Sequence, residues 1–409
     1  MPRTLARSLL VLSLLGLPGE GRAAAPAGQP VIHPYWESYT RADGLPDDKV
    51  MAVAVDGPRV WIGTDHGAAV LEDGAFRVFH RQDGLAHDAV LSVAVDPVSG
   101  DVWFGTGGGL SRYSAGRWTT FTQLTSGLPN DVIFGVAVEN QNVWVATTAG
   151  TGRYRVRDHG WDVYTPANSP QHEPWGYFVD YADGLVWAAL WGGGVLEFDV
   201  AKQTWKSYLD PDGEMEIDLF RDDGIVHVIT TGVSYREGLL WASTYFGLSR
   251  YDGHQWRSFA ETDTGIASDF INFVKARGKV VYICADKGLS ALDGASPVDR
   301  TVTYTPIHGP LEGHRGWEAR IYERGQLVGR QPLAAGLAHN FVWAVDFQGD
   351  DLWVATSRGL SRGSLRPLPP RPARIAGPER PGPPPAPATR HAPSPGEAAR
   401  PTPPGQGGR

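Results

Sequence analysis

From about residue 36 to residue 362 the chain alternates apolar and polar residues in short runs, and the runs are divided by clusters of Gly, Asp, Asn and Pro. Alternation at period two predicts β-strands with one face toward a core, and the clusters predict tight turns between them. In the first unit the strands fall near 50–55 (VMAVAV), 59–63, 68–72 and 76–80. The same quartet then returns along the chain. The aromatic residue that opens the second strand is Trp61, Trp103, Trp144, Trp187, Trp241, Tyr282 and Trp353, at spacings of 42, 41, 43, 54, 41 and 71. A strand with an aromatic near its end marks the fourth position: 36–40, 76–80, 118–122, 161–165, 205–209, 256–260 and 301–305. A turn of the type DGLPDD precedes several units, with its Gly seventeen residues ahead of the Trp in Gly44–Trp61, Gly127–Trp144, Gly224–Trp241 and Gly336–Trp353.

Four-stranded units at a period of 40–45 residues predict a β-propeller. A twisted four-stranded sheet that is apolar on both faces cannot stand alone, but radial packing against its neighbours buries both. The fold expected is therefore all-β: a seven-bladed propeller of four-stranded antiparallel blades. Little room remains where blades meet the axis. The third position of the innermost strand is read as Ala52, Ser92, Gly135, Gly176, Gly232 and Ala344, with Phe273 as the exception. The chain is out of phase with its blades, because it opens on a lone outer strand (36–40) and ends on a unit lacking one. The first strand is expected to complete the blade of Trp353 and so remove two exposed edges.

Composition supports this picture, since 51 Gly and 15 Trp supply tight turns and large packing groups. The N-terminus reads as a secretory signal over 1–27, with Arg3 and Arg7 ahead of the apolar run 9–17 and Ala25-Pro26-Ala27 before the expected cleavage. The propeller is expected over 28–362 and a disordered Pro/Arg-rich tail over 363–409, a tract too poor in apolar residues to offset ordering entropy. No segment is long and apolar enough to be a transmembrane helix. These readings place the mature protein in the periplasm or outside the cell. The single Cys284 cannot form an internal disulfide and sits where other units have Gly or Ala. Net charge is −8, and about −15 over the body once the basic ends are set aside, which argues against nucleic acid as a partner.

The pattern GLPxxxVxxxAxD…VWxGTxxGLxRY…WxxFT, carried by 44–64, 127–147 and 109–122, resembles the two-component regulator propeller repeat. The resemblance spans roughly 36–362. Such repeats form periplasmic sensor propellers, often two in tandem ahead of a membrane helix and a histidine kinase. With one ring here and no kinase segment, the resemblance implies binding of a ligand or partner rather than direct signalling.

Chain direction puts the DGLPDD-type turns and the turns inside GTxxGL on one face, together with both large insertions, 210–223 and 306–335. Loops held on a rigid scaffold are where function concentrates. Three residues after the turn Gly stand Asp47, His87, Asn130, Gln171, His227, Ser268 and His339, followed by Asp48, Asp88, Asp131, His172, Val228, Asp269 and Asn340. One reading is that these polar side chains cap turn backbone. The other is a shared ligand site around the channel mouth, formed by His87, His172, His227, His339, Asp48, Asp88, Asp131 and Asp269. Trp175, Trp191, Tyr245 and Phe246 are aromatic where small polar residues would suffice, so they either pack beneath the insertions or form a stacking platform. The insertion 306–335 reads as a β-hairpin, acting either as a solvated lid or as the carrier of a His/Glu pair fit for acid–base chemistry. The triple-Gly runs 107–109 and 192–194 open no helix, so they are turns rather than phosphate loops.

Three functions are compatible with this. The first is a non-catalytic exported binding module for a small molecule, glycan or envelope protein, acting as a monomer with no cofactor. The second is a metal-assisted propeller lyase or hydrolase using the His/Asp ring. The third is a structural scaffold in an envelope complex. Convergence of at least two His and a carboxylate would mark the enzyme. An open channel mouth, not one filled by 306–335, would separate a ligand site from a scaffold.

Overall fold

The computed structural model describes residues 29–140, 142–209, 224–296, 298–308 and 314–370. The signal reading at 1–27, the insertion 210–223 and nearly all of the tail reading lie outside them. The chain divides at Leu368/Pro369, and only Pro369 and Pro370 of the second unit are described. The described residues of the first unit form seven antiparallel sheets, each with its strands in the order inner to outer. Blade 1 is Val50–Asp56, Arg59–Thr64, Gly67–Glu72 and Ala75–Phe79. Blades 2 to 6 follow with inner strands Val90–Val95, Ile133–Glu139, Gly176–Ala182, Thr230–Arg236 and Ile271–Arg277. Blade 7 takes three strands from Val342–Gln348, Asp351–Thr356 and Gly359–Ser364.

The fourth strand of blade 7 is Tyr35–Tyr39, paired antiparallel to Gly359–Ser364 with Ser38 opposite Ser361 and Tyr39 opposite Leu360. Side chains reinforce the closure. Ser38 and Ser361 hydroxyls lie 3.1 Å apart, and Tyr39 Oη donates to Glu37 at 2.8 Å. Trp36 meets Tyr304 of blade 6 edge-on at 5.1 Å, while Tyr39 stacks on Trp353 and touches Phe76 of blade 1. A Cβ at Gly363 would come within 2.7 Å of the Trp36 ring, so that position makes room for the indole. Just upstream, His33 is buried, its Nδ1 3.2 Å from Tyr304 Oη and its Nε2 3.0 Å from the Asp350 carbonyl.

The recurring motifs have local causes. Thr64, Thr106, Thr147, Thr244 and Thr356 each donate Oγ1 to the carbonyl of the Gly three residues on, at 2.6–3.0 Å, and so close the turn between the second and third strands. That Gly holds φ of 127–138° in all five turns, a region that excludes most side chains. The Trp of the second strand is buried in all six blades that carry one, and apolar clusters fill each blade interface. Opposite Trp103, Trp144 and Trp353 stand Arg112, Arg153 and Arg362 of the third strand, each guanidinium within 5.4–5.5 Å of the indole and paired with Asp101, Glu139 or Asp351. This explains the Arg in the repeat.

Two expectations are corrected. The insertion hairpin is present, as His314–Glu323 and Gln326–Leu333, but it is no lid: it continues blade 6 outward as fifth and sixth strands. Trp317, Ala319 and Leu333 are buried in the cluster between blades 6 and 7, and this apolar side draws the hairpin to the outer edge. In blade 4 the register pairs Gly176 with Leu190 and Phe178 with Ala189, so Phe178, not Gly176, is the counterpart of Ala52. Phe273 is then no isolated exception. The rings of Phe178 and Phe273 meet edge-on at 5.0 Å, across Gly232 of the blade between them. A Cβ at Gly232 would lie 3.4 Å from the Phe273 backbone.

Candidate functional site

The loops ahead of the inner strands and the turns between second and third strands share one face, around the mouth of an axial cavity of about 630 Å³ lined by all seven inner strands. The polar slots of these loops have clear work. Three residues after the turn Gly, Asp47, His87, Asn130, His227 and His339 each accept a hydrogen bond from the backbone N–H two residues on, at 2.8–3.0 Å, and Ser268 does so at 3.2 Å. Imidazole Nδ1 thus stands in for a carboxylate or amide oxygen. The ring also rests on its own blade: His87 lies over Gly107–Gly108, and His227 packs on Phe246 at 4.2 Å. His227 is almost wholly buried, which holds its imidazole below the usual pKa, and its Nε2 has no hydrogen-bond partner.

In the next slot, Asp48, Asp88, Asp131 and Asp269 accept from the backbone N–H of Arg41, Arg81, Gln123 and Glu261 at 2.6–2.7 Å. The carbonyls of Asp88, Asp131 and Asp269 accept from Gly67, Gly109 and Gly247 of the preceding blade. These aspartates therefore staple neighbouring blades as well as capping turns. Burial pushes the Asp269 carboxyl up. His172 is exposed in the loop before blade 4. The four histidines belong to loops of blades 2, 4, 5 and 7, and among the described residues no group of three or more His, Cys, Asp or Glu is placed to hold a metal ion.

The aromatic candidates do come together. Trp175 and Trp191 stack at 5.8 Å, with the Trp191 amide donating to the Trp175 carbonyl at 2.9 Å. Trp191 meets Tyr245 at 5.4 Å nearly perpendicular. Burial raises the Tyr245 phenol pKa. The cluster is larger than the sequence suggested. Tyr177 stacks on Trp191 at 5.2 Å and on Phe134 at 5.2 Å, and Phe270 stacks on Tyr245 at 4.1 Å. The result is a continuous ledge of six rings spanning blades 3 to 6, with Trp175 and Phe270 well exposed. Phe246 stands beside it with His227.

A further set was missed. In every blade the pairing of inner and second strands skips the second residue of the inner strand, which is a β-bulge. The residues so displaced are Met51, Leu91, Phe134, Tyr177, Thr231, Asn272 and Trp343, and all seven line the cavity. A bulge re-aims a side chain relative to strict alternation, so period-two reasoning assigns these positions to the wrong side. The only signal in the sequence is their identity: large apolar residues at one position of consecutive units.

No protein-family model matches the chain, and no curated protein sequence matches it. Solved structures do match. The extracellular domain assigned to a hybrid two-component system of Bacteroides thetaiotaomicron superposes with a TM-score of 0.60 at 14% identity, covering 81% of this chain and 42% of that one. A second such domain from the same organism gives 0.58 at 13% identity, with 80% and 39% covered. Virginiamycin B lyase from Staphylococcus aureus gives 0.55 at 14% identity, with 81% and 99% covered. This chain spans about two-fifths of the length of the two sensor-system chains. At such identities the likeness is one of fold, the seven-bladed ring already described.

Proposed function

We propose that the protein is a non-catalytic binding module of the cell envelope or exterior, acting as a ligand-sensing or partner-binding propeller. Its ligand or partner is held on the loop-rich face, with the ledge of Trp175, Tyr177, Trp191, Tyr245 and Phe270 as the contact platform. The ledge is the observation that carries this reading. Stacked, half-exposed rings at a channel mouth offer apolar area at little entropic expense, as binding surfaces do. The polar slots support the platform. His87, His227, His339 and the four aspartates fix the loops in place, and His172 is exposed in the loop that also carries Trp175. The outward course of 314–333 keeps this hairpin out of the mouth, which favours a ligand over a purely structural role. The sensor-type neighbours agree with it, as does the finding that no helix among the described residues is long and apolar enough to cross a membrane.

The test is a thermal-shift screen of the full chain against sugars, peptides and planar aromatic compounds, run in parallel on Trp191→Ala and Tyr245→Ala. Hits on the native chain should lose their shift in both variants and keep it in Asp73→Asn, a substitution in the turn between third and fourth strands on the opposite face. Hits that survive both ledge variants would reject the site.

A further inference from the structure

The seven bulge residues form a collar, and its chemistry is one-sided. Trp343, Met51, Leu91, Phe134 and Tyr177 are apolar or aromatic over five consecutive blades. The two polar members are committed elsewhere. Thr231 Oγ1 donates to the Ile271 carbonyl of blade 6 at 2.7 Å, and Asn272 Nδ2 donates to the Val342 carbonyl of blade 7 at 2.9 Å. Trp343 is held by its indole N–H on Ser357 Oγ at 3.0 Å. Just below the collar, Phe178 and Phe273 meet across the cavity wall. The rest of the upper wall includes Ala52, Val53, Val93, Val136 and Val179, with Ser92 adding one small hydroxyl.

Charge enters the lining only at the far end of the inner strands. Asp180 pairs with Arg236 at 2.8 Å and Lys275 with Asp346 at 2.7 Å. Both pairs are complete, so neither leaves a charge to offset that of a buried ligand. An ionised guest in this cavity would pay a desolvation penalty with no counter-charge to meet it. The cavity volume of about 630 Å³ lies in the range of small-molecule sites.

We propose that the cavity is itself a binding site for an uncharged, largely apolar, ring-bearing small molecule, which enters past the aromatic ledge and seats between the bulge collar and the Phe178–Phe273 pair. This rests on the reading of that face as a ligand-binding face and names its ligand class. Selection works by exclusion of charge, and the completed ion pairs at the base stop deeper passage of polar solutes.

The experiment titrates the full chain with neutral N-phenyl-1-naphthylamine and, separately, with anionic 8-anilinonaphthalene-1-sulfonate, following fluorescence. The neutral dye should show saturable one-to-one binding unaffected by added salt, and the anionic dye should bind at least about tenfold more weakly. Leu91→Arg and Met51→Lys, which each put a charge into the collar, should weaken the neutral dye at least about tenfold; a melting curve shows that each is folded, and either one suffices. Leu124→Arg, on a site 95% exposed, should bind as the native chain does. Absence of saturable binding by the folded native chain would overturn the proposal, as would equal binding by the folded collar variants. If the collar variants bind normally while Trp191→Ala does not, the ledge stands and the cavity site falls. If neither class of variant affects binding, both readings fall.

Discussion

His87 shows how a residue that looks chemical can be architectural. Its Nδ1 accepts from the Ala89 amide at 3.0 Å, the bond that Asn130 Oδ1 makes to Val132 and Asp47 Oδ1 to Lys49. The slot demands a short-reach acceptor, and His, Asn, Asp and Ser all meet the demand. The identity of the residue was plain in the sequence, but its direction was not, because the acceptor role uses only one ring nitrogen. His87→Asn should therefore leave the urea midpoint nearly unchanged, while His87→Ala should lower stability by about 0.5–1 kcal/mol, the loss of one partly exposed hydrogen bond. Equal loss in both variants would show that the imidazole does something an amide oxygen cannot. Trp191 and Tyr245 are the opposite case. They stood out in the sequence because their slots need no aromatic, and they do converge. Tyr177, Phe134 and Phe270 were overlooked because each sits inside or beside a strand, where an aromatic is ordinary.

At the level of elements, strand order and length could be read from the chain almost throughout. The first unit was expected near 50–55, 59–63, 68–72 and 76–80, and its strands run Val50–Asp56, Arg59–Thr64, Gly67–Glu72 and Ala75–Phe79. Alternation and turn residues act locally, so they survive in a single sequence. Register within a bulged strand does not. In blade 4 a Gly two residues early was mistaken for the axial position, since nothing in the pattern announces that Tyr177 is skipped. The fate of 314–333 was also hidden, because the partner of its apolar side lies in the blade 6–blade 7 cluster, far away in sequence. The segment that leads into the closing strand carries its own pH dependence. Burial holds the His33 imidazole near a pKa of about 4, against modest opposing effects of the Asp350 carbonyl and the Asp351 carboxylate. The unfolded chain takes up this proton near pH 6.5 and the folded chain only near 4, so the contribution of neutral His33 should fall as pH drops through that window and be lost in full below it. The His33 share is up to about 3 kcal/mol. Denaturation midpoints measured from pH 7 to pH 4 should fall more steeply for the native chain than for His33→Gln. Parallel slopes would remove His33 as the cause.

Over the whole molecule, seven like units make a ring only if the last is completed, and the chain solves this by lending its first strand to its final blade. Closure fixes the inner strands around one axis, and the bulges, the collar and the ledge inherit their geometry from it. The axial residues vary from Gly to Phe because a ring tolerates large side chains wherever a neighbour recedes, as Gly232 does between Phe178 and Phe273. A face that binds a ligand has to be rigid before it is occupied, and here rigidity depends on one five-residue strand holding Trp36 and Tyr39 between blades 6, 7 and 1. The most direct measurement is calorimetric melting of two truncated chains beside the native one, the first lacking 35–40 and the second lacking 371–409. The first should lose its cooperative transition or melt at least about 5 °C lower, and the second should melt within about 2 °C of the native chain. Indistinguishable melting of the two truncations would contradict the account.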